Sequence, residues 1–274
     1  MTKSKLRSVA MLFLTVTLFL ICWKYSTKSL LEQKNIKLKP SVAIIVPIRN
    51  RPFEEKFIRV YFSQYLSQFQ EYSYEIIFAE QTQDDHHFNK GLLSNAAFLS
   101  LKNRSYDCYC LQDADTVPLT NELLYRCPKG AVPYHLTPPK LHPHVTYDDS
   151  GAGNFVFTSE QFIVVNGFGS NFWGWGKADD NLVKRFKSKN LWPLEVPTNT
   201  SERFVHLDCD PQRTASQAPE DKKQFLIEDL GSYGLNTSVF EMVSFERLDD
   251  IPIPISKMCF KLHCNMDVTP WCKK

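Results

Sequence analysis

Two carboxylates, Asp179 and Asp180, follow directly on the run Phe172-Trp173-Gly174-Trp175-Gly176-Lys177-Ala178. Leu182, Val183, Phe186 and Leu191 come after them at roughly helical spacing, so the segment reads as an aromatic turn that opens a helix and presents acids at its start. Glycine lets backbone approach a ligand, an indole offers a flat apolar wall with one N–H donor, and an aspartate in that position can act as a general base. That combination suits a sugar. The same residues would equally serve as core tryptophans and a capping pair, because Asp is a preferred N-cap. The remaining motifs decide between the two.

The second acidic motif, Asp113-Ala114-Asp115, ends the apolar run 106–112. In an extended backbone the two carboxylates of Asp-x-Asp share one side, where a divalent cation could bridge them to a diphosphate. Arg49 and Arg51 leave another apolar run, and guanidinium groups recognise phosphate in a bidentate manner. His206 and Asp208, two apart, could complete an octahedral site with a strand-end aspartate, and imidazole with carboxylates suits Mn²⁺ better than Ca²⁺ or Mg²⁺. His86, His87, His142 and His144 lack a matching carboxylate or cysteine spacing and read as loop residues. No G-x-S-x-G, P-loop or G-x-G-x-x-G motif supports a hydrolase, kinase or dehydrogenase.

The elements that must position these groups alternate. Val42-Ala43-Ile44-Ile45-Val46 is a continuous β-branched run, the pattern of a buried parallel strand. Residues 54–69 have helical spacing, 74–79 form a second strand, 90–101 a further helix and 106–112 a third strand. Strand, helix, strand implies a crossover and a parallel sheet, whose ligands bind at the carboxyl ends of the strands. Arg49, Arg51, Asp113 and Asp115 all fall at such ends. Residues 118–143 are proline-rich and irregular, 155–157 is a short apolar run, 198–223 reads as long loops, and 239–261 can add strands. The chemistry thus sits in one α/β catalytic domain over residues 41–274.

The chain has 274 residues, 43% of them hydrophobic, and a net charge of +2, which gives no basis for nucleic-acid binding. Residues 9–23 carry no charge and follow Lys3, Lys5 and Arg7, as a signal anchor would, and Ile21-Cys22-Trp23-Lys24-Tyr25 does not resemble a cleavage site. Residues 1–8 are then a cytoplasmic tail and 24–40 a lumenal stem. Sequons at Asn103, Asn199 and Asn236 fit that compartment. Cys264 and Cys272 bracket a short proline-containing tail and are expected to pair in an oxidising compartment. Cys108 and Cys110 flank Tyr109 inside a strand-like run and are expected to be reduced, buried thiols. Cys127, Cys209 and Cys259 remain unassigned.

In their order along residues 42–272 the motifs resemble the β-1,4-galactosyltransferase family, most closely its xylose-directed branch. The resemblance is carried by residues 46–51, Phe88-Asn89-Lys90, Asp113-Ala114-Asp115, Asn166-Gly167-Phe168, 172–176 with Asp179-Asp180, 204–208, and the tail with Thr269-Pro270-Trp271 between Cys264 and Cys272. It implies a GT-A-type mixed sheet with flanking helices, a Mn²⁺ cofactor, UDP-galactose as donor, and inversion by a single displacement. It further implies a glycan or proteoglycan acceptor, with β-xylose of a proteoglycan linkage region receiving a β-1,4 bond, and a single-pass type II protein of the Golgi membrane. The donor would be held by Pro47, Ile48, Arg49, Asn50, Arg51, Phe88, Asn89, Lys90, Ala114, Asp115, Ser150 and Trp175. The acceptor would meet Lys177, Ala178, Asp179 and Asp180, with Asp179 as base, and the metal would meet Asp115, His206 and Asp208.

The chain departs from the family pattern at four of these positions. Lys90 replaces an arginine and loses its fork, Ala178 replaces an acid, Asp208 replaces a histidine, and Ser150 replaces a tyrosine. These departures leave room for another UDP-sugar donor, such as UDP-N-acetylgalactosamine, or for a non-catalytic glycan- or nucleotide-binding relative.

Overall fold

A computed structural model describes residues 39–143, 151–198, 204–207, 229–248 and 252–273. The expected anchor 9–23, nearly all of the expected stem 24–40, Ser150 and Asp208 lie outside the described residues. Among the described residues no helix is long and apolar enough to cross a membrane. The described residues from Pro40 onward belong to one compact unit.

The run β1 (Ser41–Ile48) leads into α1 (Pro52–Phe57), one π turn (Ile58–Phe62) and α2 (Ser63–Ser67). The single helix expected over 54–69 is therefore present but widened and underwound by the π turn in its middle. The chain continues through β2 (Ser73–Gln81), α3 (Lys90–Leu101), β3 (Cys108–Leu111), β4 (Thr116–Pro118), β5 (Tyr134–His135) and β6 (Phe155–Phe157). Then come α4 (Ser159–Val164), α5 (Ala178–Ser188), β7 (Phe204–His206), β8 (Phe240–Leu248) and β9 (Ile255–Leu262).

Seven strands form one mixed sheet in the order β5-β6-β3-β1-β2-β9-β8, and β4 pairs with β7 in a separate two-stranded ribbon. β1 lies parallel to both β2 and β3, and β2 lies parallel to β9, so the centre of the sheet is parallel as the continuous apolar runs predict. Period-two alternation divides β1 between two cores. Ala43 and Ile45 join Ile77, Ala79, Leu111 and Phe98 of α3 on one face. Val42, Ile44, Val46 and Ile48 join Ile76, Phe78, Phe62 and Leu66 of the helical segment on the other. Burial on both faces is why no alternation of polar and apolar residues shows in its sequence.

Among the described residues two disulfides staple the fold: Cys264–Cys272, as expected, and Cys108–Cys127. The second corrects the reading of Cys108 as a reduced thiol. The irregular chain after β4 returns Cys127 to the start of β3, with Cα atoms 5.6 Å apart, inside the range a disulfide spans. Cys110, one turn of the pleat away, remains a free buried thiol.

Candidate active site

The carboxyl ends of β1 and β3, the start of α3 and the start of α5 meet at one place. Lys90, the first residue of α3, directs its ammonium between two acids, 2.5 Å from Asp113 Oδ1 and 2.8 Å from Asp179 Oδ1. Burial alone would lower the Lys90 pKa, but the two carboxylates overcome it and raise the pKa above the usual lysine range. Asp179 shows the opposite balance. Burial pushes its carboxyl up, Lys90 pulls it back, Asp113 and Asp180 add to the rise, and the result is about 6.

Local sequence explains how Asp179 reaches that position. The turn before it needs left-handed backbone at Gly174 (φ 81°) and Gly176 (φ 97°), conformations glycine adopts without strain, and Lys177 follows at φ 67°. The turn is stitched to the start of α3, because Gly174 N–H donates to Phe88 O at 2.8 Å and Asn89 Nδ2 donates to Ser170 O at 2.8 Å. Asn89 also caps α3, its Oδ1 accepting from Leu92 N–H at 2.8 Å. The two tryptophans separate in role: Trp173 is 1% exposed and belongs to the core, whereas Trp175 is 66% exposed on the turn. Asp180 accepts from Gly151 N–H at 3.4 Å.

The Asp-x-Asp motif differs from expectation. Its backbone turns between β3 and β4 instead of staying extended, and the two side chains diverge. Asp113 faces Lys90, while Asp115 Oδ2 accepts from Arg51 Nη1 at 3.0 Å. Arg51 Nη1 also donates to Glu54 Oε1 at 2.6 Å. The β4–β7 ribbon sets Thr116 opposite His206, and Leu207 N–H donates to Asp115 O at 2.7 Å, which brings His206 Nδ1 to 3.8 Å from Asp115 Oδ1.

One imidazole and one carboxylate at that separation can be bridged by a single ion with bonds of about 2 Å, so this pair fits a manganese ion by donor type and spacing. Among the described residues no three His, Cys, Asp or Glu side chains converge. A third protein donor would have to come from outside them, where Asp208 lies.

Other predicted donor residues line the same end of the sheet. Pro47 and Ile48 are buried at the end of β1, and Asn50 turns the chain with φ 53°, its Oδ1 accepting from Gln83 Nε2 at 2.6 Å. The Arg49 guanidinium donates to backbone oxygens of Asp84 and His86. Ala114 and Ala178 are buried, Phe88 is half-buried against the core, and Lys177 is partly exposed beside Asp179. Sequence reasoning missed two residues that shape this region. His135 is buried and stacked on Phe155 at 4.1 Å, its Nε2 3.0 Å from Ala152 O, and burial lowers its pKa to about 4 against the pull of that hydrogen bond. Arg185, fully buried in α5, binds Asn181 Oδ1 and the carbonyls of Val165, Asn166, Gly167, Asp229 and Tyr233. A lone histidine in a proline-rich stretch and a basic residue in a helix carry no signal of such roles.

A mixed α/β sheet with paired acids and cations at its parallel strand ends is the arrangement of a nucleotide-sugar glycosyltransferase. Sequence-family profiles match residues 25–128 as the N-terminal region of glycosyl transferase group 7 and residues 133–209 as the N-terminal domain of galactosyltransferase. β-1,4-galactosyltransferase 7 of Homo sapiens is 32% identical over 238 residues, spanning 84% of this chain and 70% of that protein. Xylosylprotein 4-beta-galactosyltransferase of Caenorhabditis elegans is 28% identical over 239 residues, spanning 85% and 82%.

The crystal structure of the catalytic domain of Drosophila β1,4-galactosyltransferase 7 in complex with xylobiose superposes with a TM-score of 0.77 at 27% identity, covering 86% of this chain and 99% of that one. An aspartate-to-asparagine mutant of the same Drosophila enzyme, in complex with manganese, UDP-Gal and xylobiose, matches with the same TM-score over 85% of this chain. The chain belongs to the β-1,4-galactosyltransferase family, and its fold is GT-A-like.

Proposed function

We propose that this chain transfers galactose from UDP-galactose to the 4-hydroxyl of a β-xylose, with inversion and with dependence on Mn²⁺, the xylose belonging to a proteoglycan linkage region. The observation that carries the reading is Asp179: a carboxylate at the start of α5, 27% exposed, whose pKa is raised to about 6 beside Lys90. A base poised near neutral pH accepts a proton from an attacking hydroxyl most effectively. Asp179 takes that proton as the hydroxyl oxygen attacks the anomeric carbon and the diphosphate departs. Arg49 and Arg51 hold phosphate oxygens, and the Phe88-Asn89-Lys90 segment with Pro47, Ile48, Asn50, Ala114 and Trp175 forms the remaining donor wall. Lys177, Ala178 and Asp180 flank the acceptor. Asp115 and His206, with Asp208, would hold manganese, which when bound neutralises charge on the leaving diphosphate.

The organisation proposed around this domain is a cytoplasmic tail (1–8), a signal anchor (9–23) and a stem (24–40), with residues 41–274 lumenal in the Golgi membrane. The test is turnover by the purified lumenal chain with UDP-galactose or UDP-N-acetylgalactosamine, a β-xyloside and manganese. Product is expected with UDP-galactose, only when manganese is present, and lost in Asp115→Ala and in His206→Ala. Binding of UDP without turnover of any donor would identify a non-catalytic relative. Preference for the N-acetylated donor would reassign the sugar.

A further inference from the structure

Arg49 buries its guanidinium, 7% exposed, against the loop 82–87. Nη1 donates to His86 O at 2.7 Å, and Nη2 donates to Asp84 O at 2.8 Å and to Asp84 Oδ1 at 3.0 Å. The loop is braced internally, since Asp84 Oδ1 also accepts from His86 N–H at 3.0 Å and Asp84 Oδ2 accepts from Thr82 Oγ1 at 3.0 Å. Its other side is held by the end of the chain. His87 N–H donates to Cys272 O at 2.7 Å, His86 and Lys273 form an antiparallel bridge, and Lys273 Nζ lies 3.4 Å from Asp85 Oδ2. The tail is itself fixed, because Cys272 is fully buried in the main core and covalently joined to Cys264, two residues beyond the end of β9.

We infer that the disulfide-closed tail is a positioning element of the nucleotide site: it holds the loop 82–87, and through that loop the Arg49 guanidinium, in the orientation that receives a diphosphate. The inference rests on the reading of Arg49 as a donor residue. Cys264, Cys272 and Lys273 are positioning residues, remote from the reacting atoms. Carbonyls that are already fixed leave the guanidinium little freedom to lose when a ligand binds, whereas a loop freed from the tail must be ordered at that moment. Affinity for the nucleotide then falls while the chemical step, which runs through Asp179, does not change.

The test is calorimetric titration of the lumenal chain with UDP in the presence of Mn²⁺, below the melting temperature of every variant. Cys264→Ser/Cys272→Ser is expected to weaken UDP binding about tenfold and to raise KM for UDP-galactose, with kcat and acceptor KM within about twofold of wild type. Cys108→Ser/Cys127→Ser, which removes the other disulfide, should leave UDP affinity unchanged and so separates positioning from a general loss of stability. A chain ending at Cys272 keeps the disulfide but removes the Lys273 contacts, and it should lose a smaller part of the same affinity. Unchanged UDP binding in either folded tail variant overturns the inference alone. Absence of UDP binding by the wild type overturns the donor reading of Arg49 and the inference with it.

Discussion

Replacing Asp179 by Asn should make the protein more stable and nearly inactive. The carboxyl titrates at about 6 in the folded chain against 3.8 ordinarily, because burial outweighs the attraction of Lys90. Below pH 3.8 the group is protonated whether the chain is folded or not, and the site costs nothing. Between the two values the unfolded chain gives up the proton first, so stability falls as pH rises. Above about 6 the full penalty stands, up to about 3 kcal/mol at roughly 1.4 kcal/mol per tenfold in the ionisation constant. Asn keeps the shape and carries no charge to desolvate, while Lys90 retains Asp113 at 2.5 Å.

Thermal melting at pH 7.5 should therefore move upward in Asp179→Asn, and the gain should vanish near pH 4. Turnover should fall by about 10² to 10⁴, the usual worth of a general base. In the wild type, kcat/KM should rise with pH through about 6. Manganese-dependent UDP binding should survive, since Arg49, Arg51, Asp115 and His206 remain. Near-normal turnover would remove Asp179 from the base role, and a lower melting temperature would show that the Lys90 pair outweighs desolvation.

Two further predictions concern residues that support the site. Arg185→Met should destabilise the chain by about 3 to 5 kcal/mol, because the carbonyls it ties together would lose their common charged donor. Arg185→Lys should recover little of this, since a point ammonium cannot reach partners arranged around a planar fork; a urea midpoint close to wild type in either variant would refute the argument. His135 is buried neutral at about 4, against 6.5 in the unfolded chain, so between those values only the unfolded chain takes the proton. Stability should fall as pH drops through that window, by up to about 3 kcal/mol, and His135→Gln should lose this share of the acid sensitivity in denaturation measured from pH 7 to 4.5.

The parallel centre of the sheet was legible because a strand buried on both faces must be apolar at every position, as residues 42–46 are. The helix over 90–101 and the aromatic turn before α5 were also legible, the first because a helix was expected over those residues and the second because its glycines leave a local mark. What spacing could not reveal was long-range partnership. Asp113 and Asp115 look like one bidentate clamp in sequence, yet their backbone turns, and the cations that separate them come from α3 and from the exit of β1. Cys108 looks like a core thiol because its neighbours are apolar, and nothing local points to Cys127, 19 residues on. His86 and His87 read as plain loop residues, yet their backbone atoms meet Arg49 and the tail, which side-chain chemistry does not announce.

The arrangement of charge bears on the raised pKa of Asp179, whose first cause is burial. Asp115 has Arg51 against one oxygen and faces His206 with the other, and Glu54 lies against the same Arg51 nitrogen. Asp113 and Asp179 share one ammonium, and Lys90 is nearer to Asp113. A forked guanidinium could offer two acids separate pairs of donors, but a single point charge divided between them leaves the burial of Asp179 incompletely compensated. At 2.8 Å from Asp179 the shared ammonium does not offset the burial of that carboxyl. A lysine at position 90 therefore acts on the electrostatics of the proposed base as well as on the donor side.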